Sequence, residues 1–280
     1  MPPFQANDVI RSLTEIVGLL LVVLGPWIAF AWVIHYLEQI TERRLASRFG
    51  WQSVILTGWL GVPIHELSHA AMCLLFNHRI DELVLFRPDP VSGRLGYVRH
   101  SFRRQNGFEE AGNLFIGIAP LLGGTLVLTA LTWLFYPAAI QVLWEATATS
   151  PDGWRAGGGL EWIRSAAGQM VSAEHGWSGR LVVYLYLVLC VGLHMAPSPS
   201  DYVGAGRGFV RVVLPLLLIG ALAAGWTSTA DELAWAILDI LGPIWVIMCL
   251  SIVLCLIACA LVWLVTAPFP VRYRLSERVG

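Results

Sequence analysis

Charged residues are scarce in this sequence. Only 13% of its 280 residues are charged, whereas soluble domains carry about 25%. Lysine is absent, so all 18 basic residues are arginine, and the net charge of -1 gives no electrostatic basis for binding nucleic acid. The composition therefore excludes an ordinary soluble domain and argues against a nucleic-acid partner.

Cysteine is also rare, and no two cysteines form a CxxC pair. The five cysteines all lie in apolar stretches, at Cys73, Cys190, Cys249, Cys255 and Cys259. This spacing suggests neither a disulfide framework nor a zinc site of the cysteine type. We interpret the five side chains as buried apolar thiols.

Long apolar runs fill much of the remaining sequence, which is 56% hydrophobic with a mean hydropathy of +0.66. A helix of about 20 apolar residues crosses the hydrocarbon of a bilayer. Six runs are long enough or nearly so: Leu13–Leu37, Ser53–Phe76, Ala111–Tyr136, Leu181–Pro197, Phe209–Trp226 and Leu233–Pro268. The sequence predicts an all-α integral membrane protein with about six transmembrane helices, forming one polytopic domain over residues 1–280. Gly242-Pro243 predicts a tilt or kink in the last helix.

The arginines indicate how these spans are oriented, because cytoplasmic loops carry an excess of positive charge. With six spans and a cytoplasmic N-terminus, twelve arginines lie on the cytoplasmic side and six on the other. The cluster Arg43, Arg44 and Arg48 argues the other way. We therefore expect a multi-pass protein of the inner or plasma membrane with both ends in the cytoplasm.

Two connections between spans are longer than turns. In residues 77–110, the segments Leu83–Phe86 and Leu95–Val98 are rich in β-formers and flank the turn signals of Arg87–Gly93. This pattern predicts a small β-hairpin on the cytoplasmic face. In residues 137–178, Ile140–Ala148 and Leu160–Met170 are candidates for interfacial helices.

One motif in the second apolar run carries catalytic chemistry: His65-Glu66-Leu67-Ser68-His69. Residues four apart on a helix share a face, so His65 and His69 can bind one Zn²⁺ at ~2.0–2.1 Å. Glu66, beside the first histidine, can accept a proton from a water that the zinc activates. The sequence predicts a zinc site with Glu66 as its general base.

Chance does not account well for this motif, since roughly 0.007 occurrences are expected from the histidine and glutamate content. Its position adds weight, because ionisable groups inside a membrane span are costly and usually functional. The alternative is that His65 and His69 form hydrogen bonds to neighbouring helices and Glu66 is protonated.

A catalytic zinc normally has three protein ligands, so a third must come from elsewhere. Asp201, after the fourth run, is the candidate that topology favours. The second and fourth spans run in the same direction, which brings the inner end of the fourth to the depth of His65 and His69. Asp201 could instead be a loop residue or a helix cap, and the rival ligands are His78, Asp81, Glu82 and His194.

His194 is the strongest rival, since it lies within the fourth run. It could ligate the metal, hold a ligand in position or donate to an oxyanion. A hydrogen-bonded core histidine is an equally good interpretation.

These motifs resemble the site-2 protease family of intramembrane zinc metalloproteases. His65–Ala70 matches its HExxH helix, Gly117–Leu121 resembles its Gly-Pro-type motif, and Pro197–Asp201 resembles its proline-rich segment with the zinc-binding aspartate. The resemblance covers about residues 53–210. His194 is the nearest polar residue where the family has asparagine, Tyr202 follows Asp201 where it has glycine, and no segment corresponds to its common PDZ module.

The resemblance implies a zinc-dependent endopeptidase that cleaves a peptide bond within the membrane, in a single-span protein whose helix must unwind. A zinc-binding scaffold or assembly factor without proteolytic activity is the alternative, although it would have no need of Glu66. A transporter with a metal site is a third possibility, but the inverted repeat expected of one is not visible.

Overall fold

The computed structural model describes residues 6–142, 159–172, 179–215 and 230–271. These residues are mostly helical, with one small antiparallel sheet. The α-helices that we number here are α1 (Ala6–Phe49), α2 (Trp51–Leu75), α3 (Gly107–Phe135), α4 (Gly159–Val171), α5 (Gly179–Gly192), α6 (Pro199–Gly208) and α7 (Ala230–Thr266). The strands are β1 (Arg79–Val84) and β2 (Tyr97–Ser101), and a π-helical turn covers Phe209–Val213.

Two helices of the described part are long and apolar enough to cross a membrane. They are α3, Gly107–Phe135, and the Ile247–Thr266 part of α7. Helix α2 has 25 residues, but His65, Glu66 and His69 lower its hydropathy. Helix α5 is apolar but has only 14 residues. The helical fold class is thus confirmed, whereas six spans are not shown.

The last two predicted spans are only partly covered. Of the run Phe209–Trp226, residues up to 215 are described, and they begin with the π-helical turn. Helix α7 continues as one α-helix through Gly242-Pro243, where the sequence predicted a tilt or kink. A proline removes one hydrogen bond from a helix, and neighbouring helices can compensate for that loss within a membrane.

The end of α7 lies beside the junction of α1 and α2. The rings of Phe49 and Phe269 are 5.4 Å apart, and Nε of Arg44 donates to Oγ1 of Thr266 at 2.7 Å. The six-span topology placed residues 38–52 and the residues after the sixth span on opposite membrane faces. Contacting residues cannot lie on opposite faces, so this part of the predicted orientation is wrong. In a membrane-spanning arrangement this contact would require an even number of crossings between Phe49 and Phe269, whereas the prediction had five.

The predicted hairpin is present with different bounds. Strands β1 and β2 pair from Arg79 with Ser101 to Val84 with Tyr97, and a bulge follows Ile80. The predicted segments lay nearer the turn, where main-chain bonds from Arg87 to Leu95 and from Asp89 to Arg94 continue the hairpin beyond the two strands. The turn folds back along α2, so that a Cβ on Gly58 would lie 3.0 Å from Leu95.

The region 137–178 contains one of its two predicted helices within the described residues. Helix α4 covers the predicted Leu160–Met170 segment. Of Ile140–Ala148, residues 140–142 are helical and the rest lies outside the described residues.

Helices α2, α3 and α5 pack so that one face of α2 is enclosed. Tyr186 of α5 donates to the carbonyl of Leu56 in α2 at 2.8 Å. About nine residues later in each segment, the carbonyl of His194 accepts a hydrogen bond from His65. Helices α2 and α5 therefore run in the same direction, as the sequence predicted for the second and fourth spans. Helix α3 runs opposite to α2 and covers its other side.

Candidate metal centre

Helix α2 presents two imidazoles that are oriented by main-chain carbonyls. Nδ1 of His65 lies 2.8 Å from the carbonyl oxygen of His194, and Nδ1 of His69 lies 2.8 Å from that of Ile116. A carbonyl can only accept, so each Nδ1 carries the proton and each Nε2 carries a lone pair. The two Nε2 atoms are 3.1 Å apart. This separation is compatible with one cation bound by both nitrogens.

Asp201 completes the site from α6. Its Oδ1 lies 3.5 Å from Nε2 of His69, and its Oδ2 lies 3.8 Å from Nε2 of His65. A tetrahedral zinc holds nitrogen and oxygen ligands roughly 3.4 Å from one another. The three separations, 3.1, 3.5 and 3.8 Å, bracket that value. The donor set and its spacing therefore fit zinc.

The two interpretations of Asp201, metal ligand and helix cap, are both supported. Its Oδ2 accepts from the N–H of Ser198 at 2.7 Å, closing a capping box at the start of α6. The bond from Ser198 fixes the direction of the carboxylate.

Two glycines allow the helices to approach closely enough to form the site. A Cβ on Gly117 of α3 would lie 2.5 Å from the carbonyl oxygen of Asp201. A Cβ on Gly61 of α2 would lie 2.0 Å from the carbonyl oxygen of Cys190 and 2.9 Å from Cβ of His194. Any side chain at either position would push a ligand-bearing segment away from α2 or α3.

The helix break before Asp201 also serves the site. Helix α5 ends at Gly192, and α6 begins at Pro199, which occupies its first turn. Pro197 and Pro199 lack the N–H groups that a continuous helix would use. The turn between the helices releases the carbonyl of His194 to accept from His65.

A cavity of about 560 Å³ opens beside the imidazoles. Glu66 lines it and is 7% exposed. Within the part of the chain that the structure describes, its carboxylate has no hydrogen-bond partner, so it is available to a molecule in the cavity. Glu38, Glu42 and His194 form an opposing wall, and residues 93–96 of the hairpin turn form another.

His194 is 6% exposed and supports His65 through its carbonyl. Its Nδ1 lies 3.5 Å from Oε1 of Glu42, and its Nε2 lies 3.4 Å from Oγ1 of Thr57. The imidazole is therefore directed at α1 and at the first half of α2. Of the roles considered for His194, holding a ligand in position is the one that these contacts favour.

The remaining rival ligands do not join His65 and His69. Asp81 pairs with Arg79 at 3.4 Å, and Glu82 pairs with Arg99 at 2.6 Å. Both carboxylates thus belong to the hairpin. His78 belongs to a different cluster, which is described below.

Sequence reasoning missed Glu38 and Glu42. The first predicted span ended at Leu37, which placed both glutamates in a loop. In the structure they lie one turn apart on α1 and, with His194, bring three possible ligand atoms within 4.8 Å of one another. Two glutamates at i and i+4, which share a helix face just beyond an apolar run, were the signal that could have found them.

No protein-family model matches this chain, and neither the curated proteins nor the solved structures include a significant match. The resemblance to the site-2 proteases therefore rests on the sequence motifs alone.

Proposed function

We propose that this chain is a zinc-dependent intramembrane endopeptidase. The observation that supports it best is the convergence of two imidazole lone pairs and one carboxylate, His65, His69 and Asp201, beside a cavity. Glu66 faces that cavity without a bonding partner among the described residues. A metal site with a free carboxylate next to it is the arrangement that zinc peptidases need.

Each residue then has a defined task. His65, His69 and Asp201 would hold the metal, and the chemistry that zinc would supply there is activation of water and polarisation of a carbonyl. Glu66 accepts the proton of the attacking water and donates it to the nitrogen of the leaving amine. Hydrolysis of the peptide bond is balanced, because the water supplies the hydroxyl of the new acid and the hydrogen of the new amine.

Exposed apolar side chains support a membrane location. Leu74, Leu126, Leu264, Trp32 and Leu21 are each at least 66% exposed on their helices. Water would make so much exposed apolar surface unfavourable, whereas lipid tails would cover it. We propose five complete crossings, because an odd total satisfies the contact between Phe49 and Phe269. Helices α5 and α6 together form one of them, since Arg180 contacts Phe135 at one end of α3 and Arg211 pairs with Glu110 near its other end.

The cavity favours an extended substrate. A helix is at least about 10 Å across, so the 560 Å³ of the cavity would accommodate little more than one helical turn. A carbonyl within a helix is also occupied by its own hydrogen bond. The proposed substrate is thus a membrane-embedded protein, with a single span that unwinds at the scissile bond.

The decisive experiment compares wild type with Glu66→Gln in membranes that contain a single-span substrate. The amide keeps the size of the side chain but cannot accept the proton, so cleavage should fall ~10²–10⁴-fold. Zinc content should not change, because Glu66 is not a ligand. The exposed Glu161 of α4 provides the control, since Glu161→Gln should cleave normally.

Two outcomes would contradict the proposal. Wild-type cleavage by the Glu66→Gln variant would remove Glu66 as the base. Full zinc occupancy without cleavage of any co-resident membrane protein, by either form, would favour a zinc-binding scaffold instead.

A further inference from the structure

A second group of metal-binding side chains lies where α2 meets the hairpin. It consists of Cys73 near the end of α2, His78 just before β1 and His100 in β2. One ligand atom of each lies within 4.8 Å of the others. Cys73 is fully buried, His78 is 4% exposed and His100 is half-buried. The group shares no residue with the site formed by His65, His69 and Asp201.

The orientation of His78 is that of a metal ligand. Its Nε2 lies 2.6 Å from the carbonyl oxygen of Glu109, which can only accept, so Nε2 carries the proton. The lone pair on Nδ1 then faces Nδ1 of His100 at 3.0 Å. Histidines that ligate metals usually donate their other N–H to a carbonyl or carboxylate. His65 and His69 show the same arrangement.

A hydrogen bond between the two imidazoles is the simpler alternative, with His100 donating to His78. That bond would account for the distance of 3.0 Å between their Nδ1 atoms. It would leave Cys73 unexplained, because its Sγ is buried against these imidazoles and makes no hydrogen bond to a described residue. A metal ion uses all three groups at once.

We propose that Cys73, His78 and His100 bind a second zinc ion. Thiolate and imidazole are ligands that zinc prefers, and a water can take the fourth position. The thiol of Cys73 gives up its proton to solvent on binding. Zinc holds such ligands roughly 3.3 to 3.6 Å apart. The two imidazole nitrogens, 3.0 Å apart, would therefore separate slightly, and Sγ, within 4.8 Å of both, would adjust its distance to them.

This second ion would fix the hairpin to the end of α2. The three ligands come from α2, from the start of β1 and from β2, so one ion joins all three elements. The hairpin turn, at residues 93–96, is a wall of the cavity beside Glu66. The second zinc is thus structural and secures that wall. The sequence did not reveal it, because the three ligands have none of the short spacings of zinc motifs.

The test combines metal analysis with cobalt substitution. Purified wild-type protein should contain about two zinc ions per chain, one for each three-ligand site. Replacement by cobalt should give a sulfur-to-cobalt charge-transfer band, which only the site with Cys73 can produce. Cys73→Ser should abolish that band and remove one zinc. Cys190→Ser, at another fully buried cysteine, should change neither.

The Asp201→Asn variant separates the two sites. It should lose the first zinc and retain the cobalt band, which would show that the second site is independent. The second site would be overturned by three results together. The wild-type protein would contain about one zinc, its cobalt form would lack the thiolate band, and Cys73→Ser would leave the zinc content unchanged. In that case the loss of the remaining zinc in Asp201→Asn would still support the first.

Discussion

Oε1 of Glu42 lies 3.5 Å from Nδ1 of His194, and the carbonyl of the same His194 accepts the hydrogen bond that orients His65. A glutamate on α1 thus supports a zinc ligand on α2 through a residue that follows α5. The sequence resemblance began at about residue 53 and did not include α1. The candidate site consequently extends into α1.

Glu42→Gln should slow cleavage while leaving zinc in place. The amide weakens the interaction with His194 and loosens the segment whose carbonyl holds His65. Changes in groups that orient metal ligands typically cost about 10-fold or more in activity. Rates of cleavage in membranes, measured together with zinc content, test this expectation.

Glu110→Gln is the matched control for that variant. Glu110 is also partly buried and paired, with Arg211, but it does not line the cavity. Its variant should cleave at close to the wild-type rate. Equal rates for wild type and Glu42→Gln would contradict the support role of Glu42.

Two substitutions at Asp201 separate its tasks. Asp201→Asn removes the charged ligand, but its amide oxygen can still accept from the N–H of Ser198 and cap α6. Asp201→Ala loses both functions. Both variants should lose zinc, and the alanine variant should be less stable than the asparagine variant by about 1 kcal/mol.

Metal analysis and unfolding in detergent measure these two effects independently. Retention of the full wild-type zinc content by Asp201→Asn during dialysis would remove Asp201 from the ligand set. Equal stability of the two variants would show that the cap contributes little.

The contact between Phe49 and Phe269 predicts which residues share a membrane face. Cysteines introduced at Gln52 and Val271, both exposed, should react with an impermeant thiol reagent from the same side. A cysteine at Gln105, before the candidate span α3, should react from the opposite side. Labelling of positions 52 and 271 from different sides would contradict the contact and favour the even number of spans that the arginines suggested.

The central part of the site could be predicted from the sequence because it follows from local geometry. His65 and His69 share a helix face through their spacing alone. Asp201 required one further step, the parallel course of the second and fourth spans, which the contacts of α2 and α5 confirm. Zinc binding itself remains a prediction that the spacing of the donor atoms supports.

Other features could not be predicted, because they depend on long-range packing. Glu42 reaches the cavity because α1 continues as a helix to Phe49, well beyond its apolar run. His100 meets Cys73 only after the hairpin has folded back. The side of the membrane on which α7 ends was inferred from charge counts, and the contact of Arg44 with Thr266 opposes that inference.

Main-chain carbonyls, those of Ile116 and His194, orient the imidazoles of His69 and His65, the proposed zinc ligands. Every amino acid has a carbonyl, so these two bonds set no requirement on which side chain stands at either position, provided that the backbone keeps its path. The geometry of such a site can persist while the surrounding sequence drifts. The site then constrains few residue positions. A chain with such a site can diverge widely in sequence while the side chains of its metal site remain correctly oriented.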